Sequence, residues 1–432
     1  MSRFVMFLLL AAMALPLQLR QSPDGLSLIA QAAADDDDDG DDDDDEDDDN
    51  GPAPVRAAPP APLPQRAPDE VIVRGLSTDQ LAQLVAQGFA QIERRDLAGG
   101  GSLHRLRKPA RLSLEAARAE VRALAGAAGA DFNHFYRTEQ GAGGSACPGG
   151  LCLARQVIGW QPATACTALP RIGMVDTGVN ANHATFRHAR LRVHSLDPAA
   201  ERARATESDA LHGTAVAALL VGDPASRSPG LIPKAELVAV DAFVRAGRDQ
   251  RSDAFSLIAA LDWLAAQDVR LVNLSLAGPP NEELARQIAL LVSRDILIVA
   301  AAGNVGPRAA PAYPAAYDGV LAVTAVDRRK QVYRRAGRGA HIDISAPGVE
   351  VWTAASIEGA RTKTGTSYAA PFVTAAAAMW LQSRPGLSAA ELSARLVAGA
   401  EDLGTPGRDA VFGAGLLAAP PACAQAPVPT RN

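Results

Sequence analysis

Between residues 171 and 327 the chain alternates short, almost unbroken apolar runs with longer segments of helical pattern: "RIGMVD", "LHGTAVAALLVG", "AELVAVDAF", "DAFSLIAALDWLAAQ", "RLVNLSLAG", "NEELARQIALLVSR", "DILIVAAAGN" and "GVLAVTAVD". A strand that is apolar at every position, rather than every second one, has no face to give to water. With helices between successive strands, this pattern predicts a mostly parallel, doubly wound α/β sheet covered on both sides. The chain's 432 residues exceed one ordinary domain, so a smaller unit is expected beside the large one.

In such sheets, sites form where strands end at their carboxyl edge. That rule selects Asp176, at the end of "RIGMVD", and Asn304, just past "DILIVAAAG". His212 opens one helical segment, and Ser367 lies at the start of "TSYAAPFVTAAAA". Pro371 is tolerated best in a helix's first turn, so this helix is expected to begin close to Ser367 and to place its hydroxyl at a helix mouth. Taken singly, the serine reads as an N-cap, the Asp-Thr-Gly as a turn and the histidine as a satisfied side chain. Together they supply a nucleophile, a base to take its proton, a carboxylate to orient the base and a donor for an oxyanion.

The flanks "IGMVDTGVN", "HGTAVAALLVG", "VAAAGN" and "GTSYAAPFV" resemble, in this order, the Asp, His, oxyanion-Asn and Ser motifs of the subtilisin-like serine proteases, over roughly residues 147 to 420. The resemblance implies a serine endopeptidase in which Asp176 orients His212, His212 serves as general base and then general acid, and Ser367 attacks the scissile carbonyl. Asn304 and the backbone N–H of Ser367 would hold the oxyanion. Ala215, Tyr368 and Phe372 depart from the family's usual His, Met and His, and none of these removes a catalytic group. An esterase on another α/β fold would need a G-x-S-x-G elbow and the order Ser, Asp, His, neither of which is found here.

By the same resemblance, "NLSLAG" is the edge strand that pairs with an extended peptide substrate. Ser275, Leu276, Ala277, Gly278, Ala301, Ala302, Gly303 and Ala312 would line the substrate site. Its small apolar walls lead to an expected small or medium apolar residue at P1. Tyr313-Pro314 aligns with a bond that is cis in relatives, a trans turn being the alternative. Catalysis needs no cofactor, no metal ligand is expected, and the structural calcium of relatives finds no complete ligand set to transfer.

The N-terminal third carries a different content. Arg3 precedes an apolar run shorter than a membrane span, which reads as a signal peptide over residues 1–34. The cleavage pattern lies at Ala30–Ala32 or Ala32–Ala34, with a cut near Ala14 or retention as an anchor left open. Residues 35–69 combine an acidic run and a Pro/Ala linker, both expected to be disordered. Setting aside the run's 14 acids leaves 34 Asp+Glu against 42 Lys+Arg, a basic body behind an acidic leader. The scattered basic residues and the absence of interleaved aromatics argue against nucleic-acid binding.

Residues 70–137 read as β-α-β-β-α-β, a split βαβ unit. The resemblance makes it a propeptide that assists folding and blocks the cleft. Residues 138–146 would be the cleavable connection, 147–420 the catalytic domain and 421–432 a tail. Expected partners are protein or peptide substrates and the chain's own propeptide, with no nucleic acid and no integral membrane domain in the mature form. Four cysteines fit export; of three pairings, Cys147 with Cys152 and Cys166 with Cys423 are expected. The resulting location is secreted or periplasmic, and no C-terminal membrane β-barrel is expected.

Overall fold

The computed structural model describes residues 62–126, 129–138, 153–161, 166, 168–196, 206–207 and 209–421. The expected signal peptide, acidic run, most of the linker, nearly all of the cleavable connection, the tail, and Cys147, Cys152 and Cys423 lie outside these residues. In chain order the elements begin with β1 (Arg66–Arg74), α1 (Thr78–Ala86), β2 (Ala90–Asp96), β3 (Ser102–Arg107), α2 (Leu114–Ala125) and β4 (Ala130–Tyr136). There follow α3 (Leu153–Val157), β5 (Ile172–Asp176), β6 (Arg190–Ser195), β7 (Thr206–Glu207), α4 (Leu211–Val221), β8 (Glu236–Asp241), β9 (Val244–Ala246), β10 (Asp249–Asp253) and α5 (Ala254–Ala265). The remainder are β11 (Leu271–Leu274), α6 (Glu282–Ser293), β12 (Leu297–Ala301), β13 (Val320–Val326), β14 (Ile344–Pro347), β15 (Val351–Ala354), β16 (Ala360–Lys363), α7 (Thr366–Ser383) and α8 (Ala389–Ala398).

The apolar runs form one sheet in the order β14-β13-β12-β11-β5-β8-β6, with every neighbouring pair parallel. Alternate residues of each strand enter opposite cores. Ile172 and Met174 of β5 join Val216, Leu220 and Phe372 of α4 and α7, while Val175 joins Phe255 and Leu261 of α5 and Leu291 of α6. Helix α4 is buried from His212 to Val221, as a helix that is apolar all round must be. β6 escapes sequence detection because it is an edge strand with two arginines and an exposed, alternating pattern, the charged form in which edges resist further pairing.

Strand order reverses at β5, since β8 and β6 lie on one side of it and β11 to β14 on the other. The crevice outside the carboxyl ends of β5 and β11 is therefore a topological switch point, where ligands bind in open α/β sheets.

The small unit follows the expected β-α-β-β-α-β order, with antiparallel strands arranged β2-β3-β1-β4. Its first helix is capped by Ser77 in a capping box with Gln80, and its second by Ser113, each side chain satisfying an N–H that the helix leaves open. Val71 and Val73 face Leu84, Ala117 and Val121 on the helices, whereas Ile72 and Leu103 on the other face share a core with Phe255 and Leu291.

β4 continues beyond its own unit by pairing antiparallel with β10, Tyr136 opposite Ser252 and Phe135 opposite Asp253. Two β4 side chains also close helices of the large sheet. Asp131 accepts the N–H of Glu282 at 2.8 Å, at the start of α6, and Asn133 accepts that of Phe255 at 3.2 Å, in the first turn of α5. Helix N-terminal amides lack partners within their own helix, and the carboxylate of Asp131 also complements the positive end of the α6 dipole.

Candidate active site

Asp176 ends β5 and His212 is the second residue of α4. His212 Nδ1 lies 2.7 Å from Asp176 Oδ1, and both residues are fully buried. Asp176 Oδ1 also accepts the N–H of Thr177 at 2.7 Å. The Thr177 hydroxyl in turn accepts the N–H of Gly213 at 2.9 Å, tying the strand end to the helix start. This arrangement holds the imidazole by one nitrogen and leaves Nε2 without a hydrogen-bond partner.

Helix α7 begins at Thr366, so Ser367 occupies its first turn as expected. Pro371, however, lies in the second turn rather than the first. The carbonyl four residues before it, that of Ser367, consequently lacks its helical N–H. Ser275, just past β11, donates its hydroxyl to that carbonyl at 2.8 Å, while Ser367 Oγ donates to the Ser275 carbonyl at 3.2 Å. Gly365 precedes the helix at φ 150°, a backbone region that favours glycine.

Asn304 follows β12 and is nearly buried. Its Oδ1 accepts both the N–H and the hydroxyl of Thr366 at 3.0 Å. Of the amide's two ends only the oxygen can accept a backbone N–H, so these two bonds fix the amide and commit its NH₂ end to the other side. The Thr366 hydroxyl also receives the N–H of Gly303 at 3.1 Å. Thr366, the residue before the serine, thus couples the Asn304 loop to the start of α7.

Tyr368 sits against His212, with ring centroids 5.3 Å apart. Burial, reinforced by the charge of Asp176, pushes its phenol well above the usual tyrosine range. The phenol therefore stays neutral beside the imidazole.

The structure gathers Asp176 and His212 through a direct bond, Ser367 and Ser275 through two, and Asn304 and Thr366 through two. Ser367 Oγ does not hydrogen-bond His212, and such bonds commonly tighten only once substrate is present. Ser275, Leu276, Ala277, Ala301 and Ala302 are buried, whereas Gly278 and Ala312 are half-buried. The Tyr313–Pro314 bond is cis, and Tyr313 bridges antiparallel to Gly278. Sequence reasoning did not single out Thr366, although it stands inside "GTS", and it missed Asp249, which sits in a short hairpin carrying no motif.

The outgoing end of β4 runs along the expected substrate strand. Arg137 and Ala277 exchange both backbone hydrogen bonds at 2.9 Å. Tyr136 is fully buried, its hydroxyl donating to the Pro279 carbonyl at 3.0 Å.

The subtilase family model matches residues 170–415, more than half of the chain. The chain belongs to the subtilase family. This subtilase is a serine endopeptidase, a hydrolase of peptide substrates. It is 30% identical over 239 residues to Subtilisin DY of Bacillus licheniformis, covering 54% of this chain and 84% of that one. It is 31% identical over 249 residues to Subtilisin BL of Lederbergia lenta, covering 57% and 88%. The solved structure of fervidolysin from Fervidobacterium pennivorans, described as a keratinolytic enzyme related to subtilisin, shares the fold at TM-score 0.67 and 20% identity, over 85% of this chain and 62% of that one. Subtilases need no cofactor for catalysis. Among the described residues no group of three or more His, Cys, Asp or Glu is placed to hold a metal ion, and no helix is long and apolar enough to cross a membrane.

Proposed function

We propose that this subtilase is an exported, self-maturing endopeptidase working through Asp176, His212 and Ser367. The observation that carries the reading is the buried 2.7 Å contact between Asp176 and His212 Nδ1. With Nδ1–H held by the carboxylate, Nε2 is the base that takes the proton of Ser367 Oγ as it attacks the substrate carbonyl. The resulting imidazolium donates that proton to the leaving amine, and water reverses the sequence on the acyl-enzyme. Asn304 and the N–H of Ser367 receive the oxyanion, and the α7 N-terminus favours the same charge.

The unit over residues 70–137 acts as propeptide and first partner. Support comes from β4, whose exit lies along the substrate strand through Arg137 and Ala277. Maturation cuts the connection that follows. The small apolar residues around Ala301, Ala302 and Ala312 support a small or medium apolar P1 residue in peptides supplied in trans. The N-terminal apolar run supports a secreted or periplasmic location, in keeping with disulfide pairing of the cysteines. No cofactor, nucleic acid or membrane domain enters the mature form's action.

Fluorophosphonate labelling of wild type and Ser367→Ala, with the mass of each fragment, tests this reading. Labelling of a shortened wild type, with Ser367→Ala unlabelled and full length, is the expected result. A folded wild type that stays full length and unlabelled would sink it.

A further inference from the structure

The path of β4 bears on which peptides the cleft accepts. Arg137 lies opposite Ala277, and its guanidinium grips Asp249 in a fork, Nε to Oδ1 at 2.7 Å and Nη2 to Oδ2 at 2.8 Å. Nη2 also donates to the Pro64 carbonyl at 2.6 Å. Asp249 is only 5% exposed, and Arg251 Nη1 holds its Oδ2 from the other side at 2.6 Å. Arg251 in turn stacks over Phe135, 3.8 Å from the ring centroid. Arg251, on the same hairpin as Asp249, is the partner that the carboxylate keeps when the small unit is gone. A bidentate Arg–carboxylate pair adds geometric selectivity to its charge.

The residue before Arg137 is equally well housed. A Cβ on Gly278 would stand 2.4 Å from the Tyr136 ring, so the absent side chain is what leaves room for it. The ring is buried among residues that include Phe255 and Leu276.

We propose, resting on the protease reading above, that Asp249 selects peptides carrying a basic residue opposite Ala277. Arg137 is the chain's own copy of that signal. The register gives its distance from the cut. Ser275, whose carbonyl meets Ser367 Oγ, lies two residues before Ala277. In an antiparallel pair, the substrate residue opposite Ser275 follows the basic one by two positions. The basic residue thus stands two positions before the residue whose carbonyl is attacked. The small unit adds a second cation to the same strand, Arg105, 3.9 Å from Asp253. Its departure uncovers two carboxylates of β10 and makes the cleft more attractive to cations.

The test uses matured enzyme and quenched peptides that differ at one position. Peptides with Arg two positions before the cleaved residue are compared with peptides carrying citrulline there, citrulline keeping the shape of arginine without its charge. The expected kcat/KM advantage of Arg over citrulline is on the order of tenfold, and it collapses toward equality in Asp249→Asn. Equal cleavage of Arg and citrulline peptides by wild type, or an unchanged ratio in Asp249→Asn, would overturn the proposal. Wild-type labelling by fluorophosphonate and digestion of casein separate these outcomes from failure of the protease reading itself, and the citrulline comparison needs no variant to fold.

Discussion

The hydroxyl of Ser275 donates to the backbone carbonyl of Ser367 at 2.8 Å, filling the place of the N–H that Pro371 lacks. A helix with proline in its second turn exposes one carbonyl, and here that carbonyl belongs to Ser367, the proposed nucleophile. The substrate strand and the nucleophile are locked together through it.

Ser275→Ala should leave this buried carbonyl unsatisfied and cost about 1–3 kcal/mol. In a Pro371→Ala background the helix supplies its own N–H, so the same change should cost less, with a coupling of roughly 1 kcal/mol. Urea unfolding of the four chains, all carrying Ser367→Ala to prevent autolysis, measures the cycle. Additive losses would show that the two residues do not share the carbonyl.

Asn304→Ala should lower kcat by about 10²–10³ with KM altered far less, because the oxyanion exists only after attack. Steady-state kinetics on a single peptide decide this. A change confined to KM would remove Asn304 from the oxyanion site.

Tyr368 presents no thioether beside His212. Wild type should keep its activity in dilute peroxide, whereas Tyr368→Met should lose it progressively as the sulfoxide forms. Residual activity against time in peroxide compares the two, and rapid loss by wild type would contradict the expectation.

Glu283 on α6 is buried where the small unit docks, 3.6 Å from the Arg74 guanidinium of β1. Burial pushes its carboxyl up to about 7, against the opposing pull of Arg286 and Arg74 and with help from Asp131. The folded chain therefore keeps this proton where the unfolded chain has released it. The neutral form's contribution is complete below about 4.5 and is lost as pH rises to about 7. His104 and His134, whose pKa values burial lowers, act in the opposite sense. The informative quantity is thus a difference. In the Ser367→Ala chain, Glu283→Gln should leave the unfolding free energy from urea titration nearly unchanged at pH 4.5 and raise it by pH 8, by an amount on the order of 2–3 kcal/mol. A difference that does not grow with pH would exclude the raised carboxyl.

The sheet, its helices and the positions of Asp176, His212, Asn304 and Ser367 were legible because each depends on local pattern: unbroken apolar runs, and polar residues where those runs end. β6 and the β9–β10 hairpin were not, because polar edge and hairpin strands gain their pairing from neighbours distant in sequence. Asp249 was hidden for the same reason, since its meaning lies in Arg137, 112 residues away. Pro371 misled in a specific way. The rule that proline avoids helix interiors presumes that the freed carbonyl has no other donor, and Ser275 supplies one.

Asp131 and Asn133 close the first turns of α6 and α5 from outside the large sheet. In the maturation proposed above those turns lose both groups, and a body cut from the small unit would persist without two of the contacts under which it assembled. Its lifetime would then be governed by the barrier to opening rather than by the depth of its well. A batch of enzyme heated past that barrier and cooled again should recover little activity, while uncleaved Ser367→Ala chain treated alike should regain its fold.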